Sequence, residues 1–193
     1  MLPIDYLRQT AQESSQVRET FVSEYGDKIV AAAKIVGQSL AQGGKVLIFG
    51  NGGSAADAQH MAAELVGRLL TERNPLAAIA LTTDTSNLTA IGNDYGYEHV
   101  FVRQVRALAR KGDVVVAIST SGNSKNAVLA LDEAKKIGCR SIGLCGARGS
   151  KIGELCDIAL EVTSGKNSCR IQESHIFAIH SIVDILDRYY LNG

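Results

Sequence analysis

Tryptophan is absent from the 193 residues, and only two prolines occur. So little proline lets long helices run without interruption. No apolar run approaches the roughly 18 residues that a membrane-spanning helix needs, which excludes such a helix. Neither sign of charge is in surplus, because 20 basic side chains balance 20 acidic ones. Extensive binding to a nucleic-acid backbone usually draws on a basic excess, so nucleic acid is not an expected partner. Any anion is held locally, by loops. The four cysteines, Cys139, Cys145, Cys156 and Cys169, show no C-x-x-C spacing. They are expected as small reduced core residues rather than as disulfides. Residues 1–12 include Asp5 and Arg8 and lack the apolar stretch of a signal peptide, so a cytoplasmic protein is expected. Neither the nucleotide loop G-x-x-x-x-G-K-[ST] nor the dinucleotide fingerprint G-x-G-x-x-G occurs, so no nucleotide cofactor is expected.

What remains is an ordinary globular composition, 46% hydrophobic and 21% charged, with 19 glycines. Disorder, collagen and coiled coil are excluded as global descriptions. The length fits one domain over residues 1–193, with no linker and no clear repeat. Helical spacing predicts a polar helix from 5 to about 25 and a second from about 28 to 41, where Ile29, Ala33, Val36 and Leu40 recur. These N-terminal helices, about 5–42, are sparsely apolar at their start and suit packing between subunits. Gln42-Gly-Gly44 ends the second helix.

A strand-to-helix unit then recurs. The run Lys45-Val-Leu-Ile-Phe49 enters Gly50-Asn-Gly-Gly-Ser54 and a helix to about Leu70. Strands follow at 77–81, 113–118, 140–145 and 157–162. One or two helices cover 84–110, interrupted near Gly92-Asn-Asp-Tyr-Gly96; another ends at Ile137, and the last spans 170–190. Continuous apolar strands alternating with helices indicate a parallel sheet covered on both faces, an α/β fold. In such sheets ligands sit at the carboxyl ends of strands, where two loops rich in glycine and hydroxyls fall.

The first is Ser119-Thr-Ser-Gly-Asn-Ser124. Its hydroxyls, the close approach that Gly122 allows and the helix N-terminus behind it suit a phosphate. Ser124 alone could be an ordinary cap, but a cap does not account for four hydroxyls in six residues. In the second loop, Ser54 and Asp57 fit a capping box, and a tight turn would use its glycines as readily as a ligand would. On the helix beyond, His60 and Glu64 share one face. That spacing suits two metal ligands, a base with its partner, or a plain surface pair. The last helix carries Gln172, His175 and His180 among isoleucines. Gln172 and His180 are about 12 Å apart along an ideal helix and about 80° apart around it, an awkward span for one ion.

Taken together, Gly50-Asn-Gly-Gly-Ser-Ala-Ala-Asp-Ala-Gln-His60, Glu64-Leu-Val-Gly-Arg68, Gly92-Asn-Asp-Tyr-Gly96, Ser119-Thr-Ser-Gly-Asn-Ser124 and Arg170-Ile-Gln-Glu173 with His180 resemble the phosphoheptose isomerases of the SIS (sugar isomerase) family over essentially the whole chain. The resemblance implies a three-layer α/β/α sandwich with a five-stranded parallel sheet of flavodoxin-like type. It implies a cytosolic homotetramer that converts sedoheptulose 7-phosphate to D-glycero-D-manno-heptose 7-phosphate, the first step toward ADP-heptose of lipopolysaccharide core. It further implies that Ser119, Thr120, Ser121 and Ser124 hold the phosphate. Asn51, Gly52, Gly53, Asn93 and Asp94 would line the sugar, with Glu64 and Gln172 also touching it. His60, Glu64, Gln172 and His180 would bind zinc, and Glu64 and His180 would form the acid/base pair. At Cys169 some members carry an aspartate, so no role is assigned there. Some close relatives are instead tetrameric scaffolds that bind the bacterial replication initiator; those lack the carboxylate at position 64, which this chain has. Sugar-phosphate sensors of the same fold carry an attached DNA-binding domain, for which no segment is available here.

Overall fold

A computed structural model describes residues 1–146 and 148–191. Its five strands are β1 (Val46–Gly50), β2 (Ala78–Ala80), β3 (Val114–Ser119), β4 (Arg140–Cys145) and β5 (Ile158–Glu161). They form one sheet in the order β2-β1-β3-β4-β5, and every pairing is parallel. Gly50 lies opposite Ile118, and Ser119 opposite Cys145, so three strand ends share one rim. The helices are α1 (Pro3–Ala41), α2 (Gly53–Val66), α3 (Thr85–Tyr95), α4 (Val100–Leu108), α5 (Lys125–Ile137), α6 (Lys151–Leu155) and α7 (Ser168–Tyr189).

Every residue of β1 and β3 is buried, because helices cover both faces of the sheet. The two-residue period of a strand divides these side chains between two cores. Val46, Ile48, Val114, Val116 and Ile118 pack with α1, α2 and α7. Leu47, Phe49, Val115 and Ala117 pack with α4, α5 and α6. The expected three-layer α/β/α sandwich with a five-stranded parallel sheet is therefore present.

The two helices expected at the N-terminus are one, the 39-residue α1, about 58 Å long. Gly26 lies inside it although glycine costs about 1 kcal/mol in a helix interior. The buried stripe Val17, Phe21, Tyr25, Ile29, Ala33 and Val36 runs straight through that point, and burial of the stripe outweighs the local cost. Before Val17 no residue is buried, and Leu2, Tyr6 and Leu7 are 65%, 65% and 60% exposed.

Two further expectations, both about α2, change. The first residue of α2 is Gly53 and its cap is Gly52, with no side-chain capping bond, so Ser54 and Asp57 make no capping box. Ser54 sits two residues past the cap, inside the helix, and is buried. The helix also stops at Val66 instead of continuing to residue 70. Between 84 and 110 the break falls at Gly96 and a short 3-10 turn, Tyr97–His99. The short helix α6 was not read from the sequence, having only five residues to show a period. Cys139 and Cys145 are buried and Cys156 partly so, as small core residues would be, but Cys169 is exposed.

One buried histidine fixes α7 against the sheet. The His175 ring donates from Nε2 to the Cys145 carbonyl at the end of β4, 3.2 Å away, while its Nδ1 has no partner. Burial, only partly offset by that bond, lowers its pKa from 6.5 to about 4. The folded protein thus refuses a proton that the unfolded chain accepts. Stability from this group is complete above pH 6.5 and is lost as pH falls from there toward 4, by about 3 kcal/mol. Urea unfolding at intervals between pH 7 and pH 4 should show that loss in the wild type and a flatter profile in His175→Gln; parallel profiles would contradict the assignment.

Candidate active site

A sheet ordered 2-1-3-4-5 reverses its winding between β1 and β3, and ligands of such sheets bind at that crevice. Here the loops leaving β1 and β3 are the two singled out above. In the second of them, Ser119 Oγ lies 2.9 Å from Ser124 Oγ and 3.3 Å from Ser121 Oγ. Ser124 occupies the cap position of α5, yet its hydroxyl makes no cap bond and turns to Ser119 instead. Three hydroxyls thus converge above the N-terminus of a 13-residue helix, a neutral but donor-rich place for a phosphate.

The loop is braced from behind. Gly122 has φ +64, and any side chain there would run into Ser150, the residue that caps α6. Ile152 N donates to the Gly122 carbonyl at 2.9 Å, and Lys151 N donates to Asn123 Oδ1 at 3.1 Å. Thr120 is half-buried beside these serines.

In the loop after β1, Asn51 and Asn126 exchange two amide bonds, each 2.9 Å, and the Tyr97 hydroxyl donates to Asn51 Oδ1 at 3.3 Å. Gly52 is open to solvent. Gly53 is covered by the Gln172 amide, which occupies the space a side chain would need. Asn93 and Asp94 are exposed on α3 and bond each other at 2.8 Å. Their segment is tied toward the loops by Tyr97 and by a Lys125–Glu98 ion pair of 3.0 Å.

The third feature lies on the helices. His60 Nε2 is 2.8 Å from His180 Nε2 and 3.3 Å from Glu64 Oε1. These ligand atoms lie within 4.8 Å of one another. Two imidazole nitrogens this close either share the N–H of one ring or hold a metal ion between them. Glu64 Oε2 is buried without a partner, which leaves a carboxylate oxygen free to ligate. Two nitrogens and a carboxylate oxygen suit zinc among other divalent ions. Gln172 is not brought into this group: its amide lies at Gly53, seven residues and about 10 Å of helix before His60.

Residues 9–146 match the family model for the SIS domain. The phosphoheptose isomerase of Geotalea daltonii is 51% identical over 185 residues, 96% of each chain. The solved phosphoheptose isomerase of Neisseria gonorrhoeae is 46% identical with a TM-score of 0.90, covering 96% of this chain and 99% of its own. That of Francisella tularensis is 37% identical with a TM-score of 0.92, covering 97% and 100%.

The chain belongs to the phosphoheptose isomerases of the SIS domain family.

It is an enzyme, an aldose–ketose isomerase, and the relatives it resembles over almost its whole length carry that name rather than that of a scaffold. Beside the candidate residues named from the sequence, the structure adds Asn126 and Tyr97, which hold Asn51, and Ser150, which backs Gly122. It also adds Asp57, whose Oδ2 is buried without a partner one turn before His60. Burial raises its pKa above the ordinary carboxylate value, and the charge of His60 pulls it partly back. The three-residue step from Asp57 to His60 was visible in the sequence, but the capping-box reading absorbed it. Asn126 and Ser150 carried no such signal, because each acts on a loop far from it in sequence.

Proposed function

We propose that this isomerase interconverts D-sedoheptulose 7-phosphate and D-glycero-D-manno-heptose 7-phosphate through an enediol, supplying heptose for ADP-heptose and lipopolysaccharide core. The observation that carries the reading is the meeting of His60, Glu64 and His180 from two helices. It occurs in a chain whose serine loop stands at the sheet's crossover point. The hydroxyls of Ser119, Thr120, Ser121 and Ser124 hold the phosphate, and Asn51, Gly52, Gly53, Asn93, Asp94 and Gln172 line the sugar. Binding at the phosphate, far from the reacting carbons, supplies orientation. Glu64 takes the proton from C1 and returns it at C2, and His180 moves the proton at the neighbouring oxygen.

His60, Glu64 and His180 hold zinc in this reading. Bound zinc would polarise the sugar carbonyl and stabilise negative charge on its oxygen. The single domain assembles as a homotetramer. Support comes from the first two helical turns of α1, whose apolar side chains face solvent. Further support comes from a groove of about 290 Å³ beside His180, lined by Leu69, Leu70 and Phe177. No helix among the described residues is long and apolar enough to cross a membrane. The four free thiols suit a reducing compartment, the cytoplasm.

Glu64→Gln keeps the shape of the side chain but cannot accept the proton. Its turnover should fall about 10²–10⁴-fold. Calorimetry should still detect sedoheptulose 7-phosphate binding, while exchange of the C1 hydrogen in heavy water stops; exchange at the wild-type rate would move the base to another residue. Elemental analysis of untagged protein should find one zinc per subunit, and chelation should abolish turnover. Full activity in metal-free protein would leave a bare acid/base pair. Light scattering at micromolar concentration should give a mass near four times 20.5 kDa, and a species of 20.5 kDa would contradict the assembly.

A further inference from the structure

Outside the residues assigned above, one buried ion pair ties together the two helices that carry the acid/base group. Arg73 lies in the segment between α2 and β2, and Asp187 lies near the end of α7. Their side chains are 8% and 2% exposed, and Arg73 Nε donates to Asp187 Oδ1 at 2.8 Å. The same guanidinium donates from Nη2 to the Glu64 carbonyl at 2.7 Å and from Nη1 to the Leu65 carbonyl at 2.8 Å. It also reaches the Gly67 carbonyl at 3.1 Å. These are carbonyls at the last turn of α2, which a helix leaves without internal partners. The fork therefore grips the backbone of Glu64 itself.

Asp187 is seven residues after His180, two helical turns, so both side chains stand on one face of α7. Through Arg73, the residue that supplies the carboxylate of the site is linked to the face of the helix that supplies its histidine. A group whose ligand atoms lie within 4.8 Å, drawn from two helices, depends on their spacing. A misplacement near 1 Å at reacting groups costs about 10²-fold in rate. A helix end needs only a cap, and exposed water or a glycine turn would serve; a buried, fully engaged guanidinium bonded to an acid on the neighbouring helix does more than cap.

We infer that Arg73 is a positioning residue of the isomerase, holding Glu64 at its working distance from His180 through Asp187. This rests on the function proposed above. Lysine at position 73 keeps the charge facing Asp187 but cannot fork to three carbonyls. Arg73→Lys should fold, keep its dissociation constant for sedoheptulose 7-phosphate within about threefold, and lose about 10- to 100-fold in kcat. Its zinc affinity, measured by competition with a chromophoric chelator, should fall about tenfold, in the range typical of a lost supporting contact. The double variant Arg73→Met/Asp187→Leu removes both charges of the pair together. Folded, it should show the same loss of kcat with substrate binding retained.

Wild-type kcat and zinc affinity in either folded variant would overturn the inference. So would an equal loss of kcat and of substrate binding, and so would failure of both variants to fold, which would make the pair a support of the fold alone. A wild type that neither turns over the sugar phosphate nor binds zinc would instead overturn the reading of the site.

Discussion

The parallel course of α2 and α7, side by side on one face of the sheet, is the constraint on which the candidate site rests. Both helices follow strands of a parallel sheet and both begin at its carboxyl rim, so they run in the same direction. Gly53 makes room for Gln172 at the rim, His60 meets His180 partway down, and Arg73 joins the end of α2 to Asp187. A stripe of positions 53, 57, 60 and 64 on α2 faces this seam at helical spacing. That stripe explains why a carboxylate, an imidazole and a second imidazole from a segment 120 residues away can share a space of a few ångströms.

The two loops obey a different constraint. The serine loop sits where β3 ends, beside the glycine loop of β1, because the sheet's winding reverses between those strands. Rise along α2 separates that rim from His60 and Glu64 by roughly 10 and 16 Å. The two loops and the histidine group thus lie at two levels, the rim and the helix seam. The exposed apolar groove next to His180 lies at the lower level, where a second copy can cover it.

The layered architecture was legible because buried parallel strands are continuous apolar runs and the helices between them keep their period. The boundaries of β4 were read to the residue. What local pattern missed was decided by tertiary burial: the two helices read on either side of residues 26 and 27 are one, because the stripe from Val17 to Val36 crosses that point. Ser54 had a cap's chemistry but stood inside the helix. His60 and Glu64 were visible as a pair, whereas their contact with His180 depends on how α7 lies against α2, which no spacing within one segment contains. Arg73 gave no signal at all, since its partners are carbonyls and a residue 114 positions away.

Asn51 is followed directly by Gly52, the dipeptide in which an asparagine amide is most open to attack by the next backbone nitrogen. Attack requires the amide to swing toward that nitrogen, and the reciprocal bonds with Asn126 oppose the swing. Unfolding releases the restraint. The chemical ageing of this loop is therefore coupled to conformational stability: each excursion out of the native state exposes Asn51 to deamidation, and either product, aspartate or the commoner isoaspartate, puts a charge where a neutral amide meets Asn126.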